Sequence, residues 1–266
     1  MTEIKTSDIA TSAGHWYDRT GQMVETVPGA KGQPVKPDIR HARKLGLLPG
    51  VTSVIKVQSA PGLVNWMVDQ ALMAALTLPR VEGETLDAFK ERARRDSQQQ
   101  AEKARDKGSE CHTALEMAVQ RRPVAVEWLP HVDAVDKALR AVGVDFLAGD
   151  AERSFAHPLG FGGKNDWHSV KQGVLLDYKS KPKIDGRKMA YDEHVQQLSA
   201  CAEGLLIPGC RLLSVFVGIE DVQAHVHEWQ ADEASRGWQM FWHCMYLWQL
   251  KNRYNSAFVP AQDKAA

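Results

Sequence analysis

Apolar side chains recur at near-helical spacing between residues 61 and 78, as Leu63, Trp66, Met67, Ala71, Met73 and Ala74, and Pro61 suits the first turn of a helix. The pattern predicts a helix ending near Leu78-Pro79. Residues 84–120 are rich in Ala, Glu, Lys, Arg and Gln, a composition that favours long helices, with Gly108 as a break or a close packing contact. The charged stretch 89–107 reads as a solvated face. From about Ala151 the pattern shortens, and residues 152–157, 163–170 and 173–178 read as three consecutive strands separated by Gly, Pro or polar residues. Residues 187–206 return to helical character, and 211–217 and 224–229 read as two further strands. In the last helix Trp238, Phe241, Trp242, Met245, Leu247 and Trp248 follow helical spacing, which predicts a core-facing stripe and not a base-stacking platform.

The first 60 residues hold many glycines and prolines, a short β-branched run at 51–57 and little sustained periodicity, so they read as an arm packed on the core. The element order predicts an α/β fold, a central mixed sheet flanked by helices with an N-terminal helical arm. One domain over 61–260, with its core at 108–230, and a flexible tail at 261–266 complete that expectation.

Composition narrows the function classes. The 266 residues contain 33 Lys plus Arg and 33 Asp plus Glu, so bulk attraction to a polyanion is excluded and any nucleic-acid surface must be a local patch. The longest apolar stretches, such as 71–76, fall far short of the roughly 20 residues a spanning helix needs, and residues 1–6 do not begin a secretory leader. No membrane association and a cytoplasmic location are expected. Cys111, Cys201, Cys210 and Cys244 include no CxxC pair, which predicts reduced thiols and neither a zinc ribbon nor a disulfide framework.

Three groupings bear on chemistry. His112 and Glu116 are four apart and share a helical face, where they form either half of a metal site or a solvated pair. On a strand, Asp177 and Lys179 point to one face and Tyr178 to the other, which a strand-end salt bridge would equally explain. Asp166 lies before a plausible turn at Lys171-Gln172-Gly173, and a hairpin there brings its carboxylate to Asp177. Paired carboxylates call for a cation, and hard divalent ions such as Mg²⁺ or Mn²⁺ are the usual partners of oxygen ligands. A neighbouring lysine then serves to hold or deprotonate the attacking water. Lys164, Lys171, Lys179, Lys181, Lys183, Arg187 and Lys188 supply the local basic patch, read as phosphate-facing.

The ordered set Gly108-x-x-x-His112-x-x-x-Glu116, Glu152, Gly163-x-x-Asp166, Asp177-x-Lys179 and Gln197-Leu198-x-x-Cys201 resembles the RecB-type branch of the PD-(D/E)XK nuclease superfamily. The resemblance spans about residues 108–229. It extends more loosely to Leu48-Pro49-Gly50-Val51-Thr52-Ser53-Val54-Ile55 and Leu63-Val64-x-Trp66, which look like the N-terminal segment of phage-encoded and mitochondrial exonucleases. It implies a restriction-endonuclease-like core, with His112, Asp166, Asp177 and the Tyr178 carbonyl as metal ligands. Lys179 would activate the water and Gln197 would order the site, while Glu116 and Glu152 would ligate through water or orient a ligand. DNA would lie on Lys164, Lys181, Lys183, Arg187 and Lys188. Cys201 stands where the family's glutamine motif closes on an aromatic residue. Some relatives carry an iron-sulfur cluster on one cysteine ahead of the histidine and three close together near the C-terminus; the scattered cysteines here predict none.

The implied activity is a Mg²⁺-dependent DNA exonuclease, with Mn²⁺ substituting, in phage or prophage recombination, repair or replication. Its implied partners are DNA and a single-strand annealing or recombination protein, and a homo-oligomer is compatible with the sequence. The same metal site serves an endonuclease equally well. Two rivals come from different classes: a DNA-end or single-strand binding protein that lost the chemistry, and a helical scaffold.

Overall fold

Val174, Leu175 and Leu176 form an unbroken apolar run, as befits a strand covered on both faces, and they open the central strand of the protein. The computed structural model describes residues 14–58, 61–186 and 188–258. Arg187, the first 13 residues of the arm, the tail at 261–266 and the side chains of Leu63 and Trp66 lie outside the described residues.

The chain begins with β1 (Trp16–Tyr17), β2 (Val27–Pro28), β3 (Pro34–Val35), α1 (Ile39–Leu45), β4 (Leu48–Pro49) and α2 (Val51–Ile55). Two helices follow, α3 (Pro61–Thr77) and α4 (Leu86–Val119), then α5 (Leu129–Ala141). Five strands come next: β5 (Asp150–Ala151), β6 (Ser154–His157), β7 (Phe161–Lys164), β8 (Trp167–Ser169) and β9 (Val174–Lys181). After them come α6 (Asp192–Gly204), β10 (Arg211–Gly218), β11 (Ala224–Trp229) and α7 (Ala231–Asn252).

The main sheet is mixed, with strand order β11-β10-β9-β8-β5. Only β9 and β10 run parallel, and α6 provides the crossover that such a pair requires. Strand parity sorts the core. Val174, Leu176 and Tyr178 pack with Cys111, Leu115, Val135 and Leu139 of α4 and α5, while Leu175 and Leu212 pack with Val195, Leu198, Phe241 and Trp248 of α6 and α7. The protein is therefore α/β, a five-stranded mixed sheet flanked by helices.

The N-terminal elements join the α6 and α7 side, where Trp16, Leu47, Val51, Val54 and Ile55 are buried. The β-branched run at 51–57 opens as helix α2, because a helical turn carries Val51, Val54 and Ile55 together into that core. Gly50 bridges Gly162, and a Cβ on Gly162 would lie 2.6 Å from the Cβ of Tyr17, so the arm meets β7 backbone to backbone. Tyr254 Oη donates to the carbonyls of Ala42 (3.2 Å) and Leu47 (2.9 Å), and Arg43 donates to the Asn252 carbonyl.

The three consecutive strands expected at 152–178 are four, β6 to β9, with β5 just ahead of them and β9 running on to Lys181. Glu152 adopts a left-handed backbone (φ 59°), which ends β5, and Gly160 (φ 96°) turns β6 into β7 as a separate hairpin. The stretch 163–170 breaks at Asn165 and Asp166, whose backbone bonds to Arg153 and Glu152 instead of to β9. In α7, Phe241, Met245 and Trp248 face the core with Trp238 beside them, but Trp242 and Leu247 lie off that face and are about 40% exposed, so the expected stripe is narrower. On α3, only Ala74 is fully buried among the residues whose side chains are described. Met67, Met73, Val64, Val68, Leu72 and Leu76 are more than half exposed, because the helix is apolar on all sides and α4 covers only one. Among the described residues no helix is long and apolar enough to cross a membrane.

Helix α4 runs unbroken for 34 residues, about 51 Å. Gly108 is a packing contact within it: a Cβ there would approach Ser180 Oγ of β9 to 2.5 Å. Gly108→Leu is expected to push α4 off β9 and lower stability by about 1–3 kcal/mol, read by denaturant unfolding. An unchanged midpoint would refute the contact's importance.

Candidate active site

The β8–β9 hairpin pairs Trp167 with Leu176, and one step further the same register sets Asp166 across from Asp177. Strand β8 begins only at Trp167, so beyond Leu176 this edge of β9 is uncovered by it. Asp166 closes part of the gap, its Oδ2 accepting the Tyr178 N–H at 2.8 Å. The N–H and C=O of one strand residue point the same way, so the Tyr178 carbonyl turns toward the same open edge. Helix α4, seated on this side through Gly108, brings His112 Nδ1 to 3.6 Å from Asp166 Oδ2, with the imidazole edge-on to the Tyr178 ring at 5.8 Å.

Parity sends Asp177 and Lys179 to the opposite face of β9, where α6 packs. There Lys179 Nζ lies 2.6 Å from Asp177 Oδ2 and donates to Gln197 Oε1 at 2.9 Å. The Gln197 Nε2 donates to Asp177 Oδ1 at 2.5 Å, closing a three-membered ring of contacts that also sets which way the amide faces.

Charge is unbalanced here. Burial, then the neighbouring Asp177, push Asp166 up to about 6, against the opposing pull of His112, Lys179 and the Tyr178 N–H. Burial works against charge on Lys179, but Asp177 and Asp166 outweigh it and hold the ammonium above the ordinary lysine range. The Cys201 thiol, in the place of the expected aromatic residue, is driven well up by burial and then by Asp177, so it stays neutral beside the carboxylates.

A cleft of about 650 Å³ opens onto His112, Asp166, Gln197 and Cys201, walled also by Tyr17 and Gly50 of the arm and by Arg105 and Glu116 of α4. Glu116 lies one turn beyond His112, its Oε1 accepting from Gln120 Nε2 at 2.8 Å. Glu152 is ion-paired to Lys164, which takes Lys164 partly out of the expected phosphate patch. Lys183 faces Glu220 at 3.6 Å, and Lys181 and Lys188 approach Tyr191. Arg105 is a cleft residue the motifs did not include; at seven residues before His112, helical period alone places it on the same face.

The donor set, two carboxylates, an imidazole and a turned-out carbonyl, suits a hard divalent ion such as Mg²⁺ or Mn²⁺, and the Asp166–Asp177 repulsion is relieved by one. As the side chains stand, Asp166 meets His112 while Asp177 is held by Lys179 and Gln197; among the described residues no three His, Cys, Asp or Glu side chains gather as a ligand group. The cysteines divide between the two sides of the sheet, Cys111 with α4 and α5, Cys201, Cys210 and Cys244 with α6 and α7.

No family model matches the chain, and no curated protein matches it. A solved structure of SSO0001 is similar, with 13% identical residues and a TM-score of 0.33 over 75% of this chain and 96% of that one.

Proposed function

We propose that the chain is a Mg²⁺-dependent deoxyribonuclease of the RecB-like type, acting as an exonuclease on DNA ends in phage or prophage recombination, repair or replication. One observation carries the reading: where β9 runs past β8, Asp166 accepts the Tyr178 N–H and faces His112 at its edge, with Asp177, Lys179 and Gln197 interlocked on the adjoining face. His112, Asp166, Asp177 and the Tyr178 carbonyl would hold the metal. When bound, it would acidify water and offset charge on the phosphate under attack.

The chain's own residues do the rest. Lys179, kept charged by Asp177, presents an ammonium to the attacking water and the phosphate oxygens. Gln197 accepts from Lys179 and donates to Asp177, so it keeps both aimed. Glu116 and Arg105 stand along the cleft wall, one an acceptor for water and the other a cation for the DNA backbone. Exonuclease activity is favoured by the resemblance to phage and mitochondrial exonucleases; the carboxylates and lysine alone serve an endonuclease equally well.

Purified protein with end-labelled linear DNA and closed circular DNA, in Mg²⁺ or EDTA, tests this. Nucleotide release from linear DNA only, abolished by EDTA, is the expected result. Cutting of the circle would move the assignment to an endonuclease, and binding without cleavage in Mg²⁺ or Mn²⁺ would overturn the enzymatic reading.

A further inference from the structure

Outward from the Asp177–Lys179–Gln197 ring, two rows run side by side. Asp177, Lys179 and Lys181 share parity on β9, and Gln197, His194 and Tyr191 succeed one another at three-residue steps on or at the start of α6. Gln197 meets Asp177 and Lys179 at the inner end, and Lys181 Nζ lies 5.9 Å from the Tyr191 ring centroid at the outer end. Lys188 Nζ reaches the same ring at 5.6 Å. Tyr191 is anchored at both ends, its Oη donating to the Lys188 carbonyl at 2.9 Å and its N–H to His194 Nδ1 at 3.3 Å. The residue nevertheless remains 42% exposed. From Gln197 it is about 9 Å along the helix axis, and from Lys179 to Lys181 about 7 Å along the strand, so it stands within a few nucleotides of the site.

The geometry points to a subsite for single-stranded DNA, in which a base stacks on Tyr191 while Lys181 and Lys188 take the flanking phosphates. An aromatic ring with two lysines beside it offers both halves of a nucleotide their partner: a π-surface for any base and ammoniums for the phosphodiester. A duplex keeps its base faces stacked on one another and gains only the lysines, so the site selects unpaired strands. Lys164 and Lys183 face the carboxylates of Glu152 and Glu220, whereas Lys181 and Lys188 lie beside the Tyr191 ring. The assignment rests on the nuclease reading for its substrate class, and it is tested apart from cleavage.

The test is binding, in EDTA, of a single-stranded oligonucleotide carrying 2-aminopurine, with a duplex of the same sequence alongside. Wild type is expected to alter the probe's fluorescence by stacking and to bind the single strand more tightly. Tyr191→Leu is expected to lose the stacking signal and about ten- to a hundredfold in single-strand affinity, with duplex affinity nearly unchanged. Tyr191→Phe, which keeps the ring, should retain both, and its melting curve controls for folding. Equal loss on single strand and duplex, or loss on Lys181→Ala and Lys188→Ala but not on Tyr191→Leu, would overturn the subsite. Failure of wild type to cleave in Mg²⁺ while the Tyr191-dependent signal persists would instead sink the nuclease reading alone.

Discussion

Lys179→Ala is expected to slow DNA cleavage by about 10³-fold, in line with the loss of a positioned proton-transfer and charge-stabilising group. The same change leaves Asp177, whose side chain is 8% exposed, with only Gln197 as a side-chain partner among the described residues. Removing one member of a buried ion pair costs about 3 kcal/mol or more, so the variant should also melt lower in EDTA. Mg²⁺ would bring back a positive charge for Asp177 and raise the melting temperature by mass action, but not supply the ammonium. The decisive pair of measurements is therefore melting temperature and initial cleavage rate in saturating Mg²⁺. Recovery of the first without the second marks Lys179 as a catalytic residue; a wild-type rate would remove it from the mechanism.

Asp166→Asn should have the opposite effect on stability. The folded-state pKa of Asp166 is raised from 3.8 to about 6, so between those values the folded chain holds a proton that the unfolded chain releases. Stability of the metal-free protein thus falls as pH rises from about 4 to about 6 and stays lower above it, by about 3 kcal/mol from this group. Asparagine is neutral at every pH and its Oδ1 can still accept the Tyr178 N–H. The variant should melt about 5–10 °C higher than wild type at pH 8 in EDTA and show no such gain at pH 4. It should also lose the Mg²⁺-induced rise in melting temperature, and with it cleavage. A lower melting temperature than wild type at pH 8 in EDTA would refute the claim that Asp166 is charged against its surroundings.

Much of this arrangement was legible because it rests on parity and register. The face shared by Asp177 and Lys179 and the opposite setting of Tyr178 follow from counting along one hairpin, whereas the turn of Asp166 toward the Tyr178 N–H and His112, and not onto the Asp177 face, does not. The helix bearing Gln197 was legible as the link between two strands. What escaped depends on partners distant in sequence. Lys164 has the look of a phosphate ligand, but Glu152, in a left-handed turn with no glycine to announce it, lies beside it. Tyr191 carries no motif, and its meaning comes from where β9 ends. The exposure of α3 was equally hidden, since an apolar pattern states what a helix can bury and not how many neighbours reach it.

The parallel pairing of β9 with β10 has a consequence in time. His112, Asp166, Asp177, Lys179 and Gln197 all precede Arg211, where β10 begins. A ribosome makes the complete set of reactive side chains before it makes the strand that lies against β9 from Val174 to Lys181. Parallel pairing across a helical crossover is non-local and slow to form, so the nascent chain holds the ingredients of the site without its geometry. Until β10 is released and docks, the apolar edge of β9 is open to the wrong strand, and chaperone capture or aggregation competes with maturation at that stage.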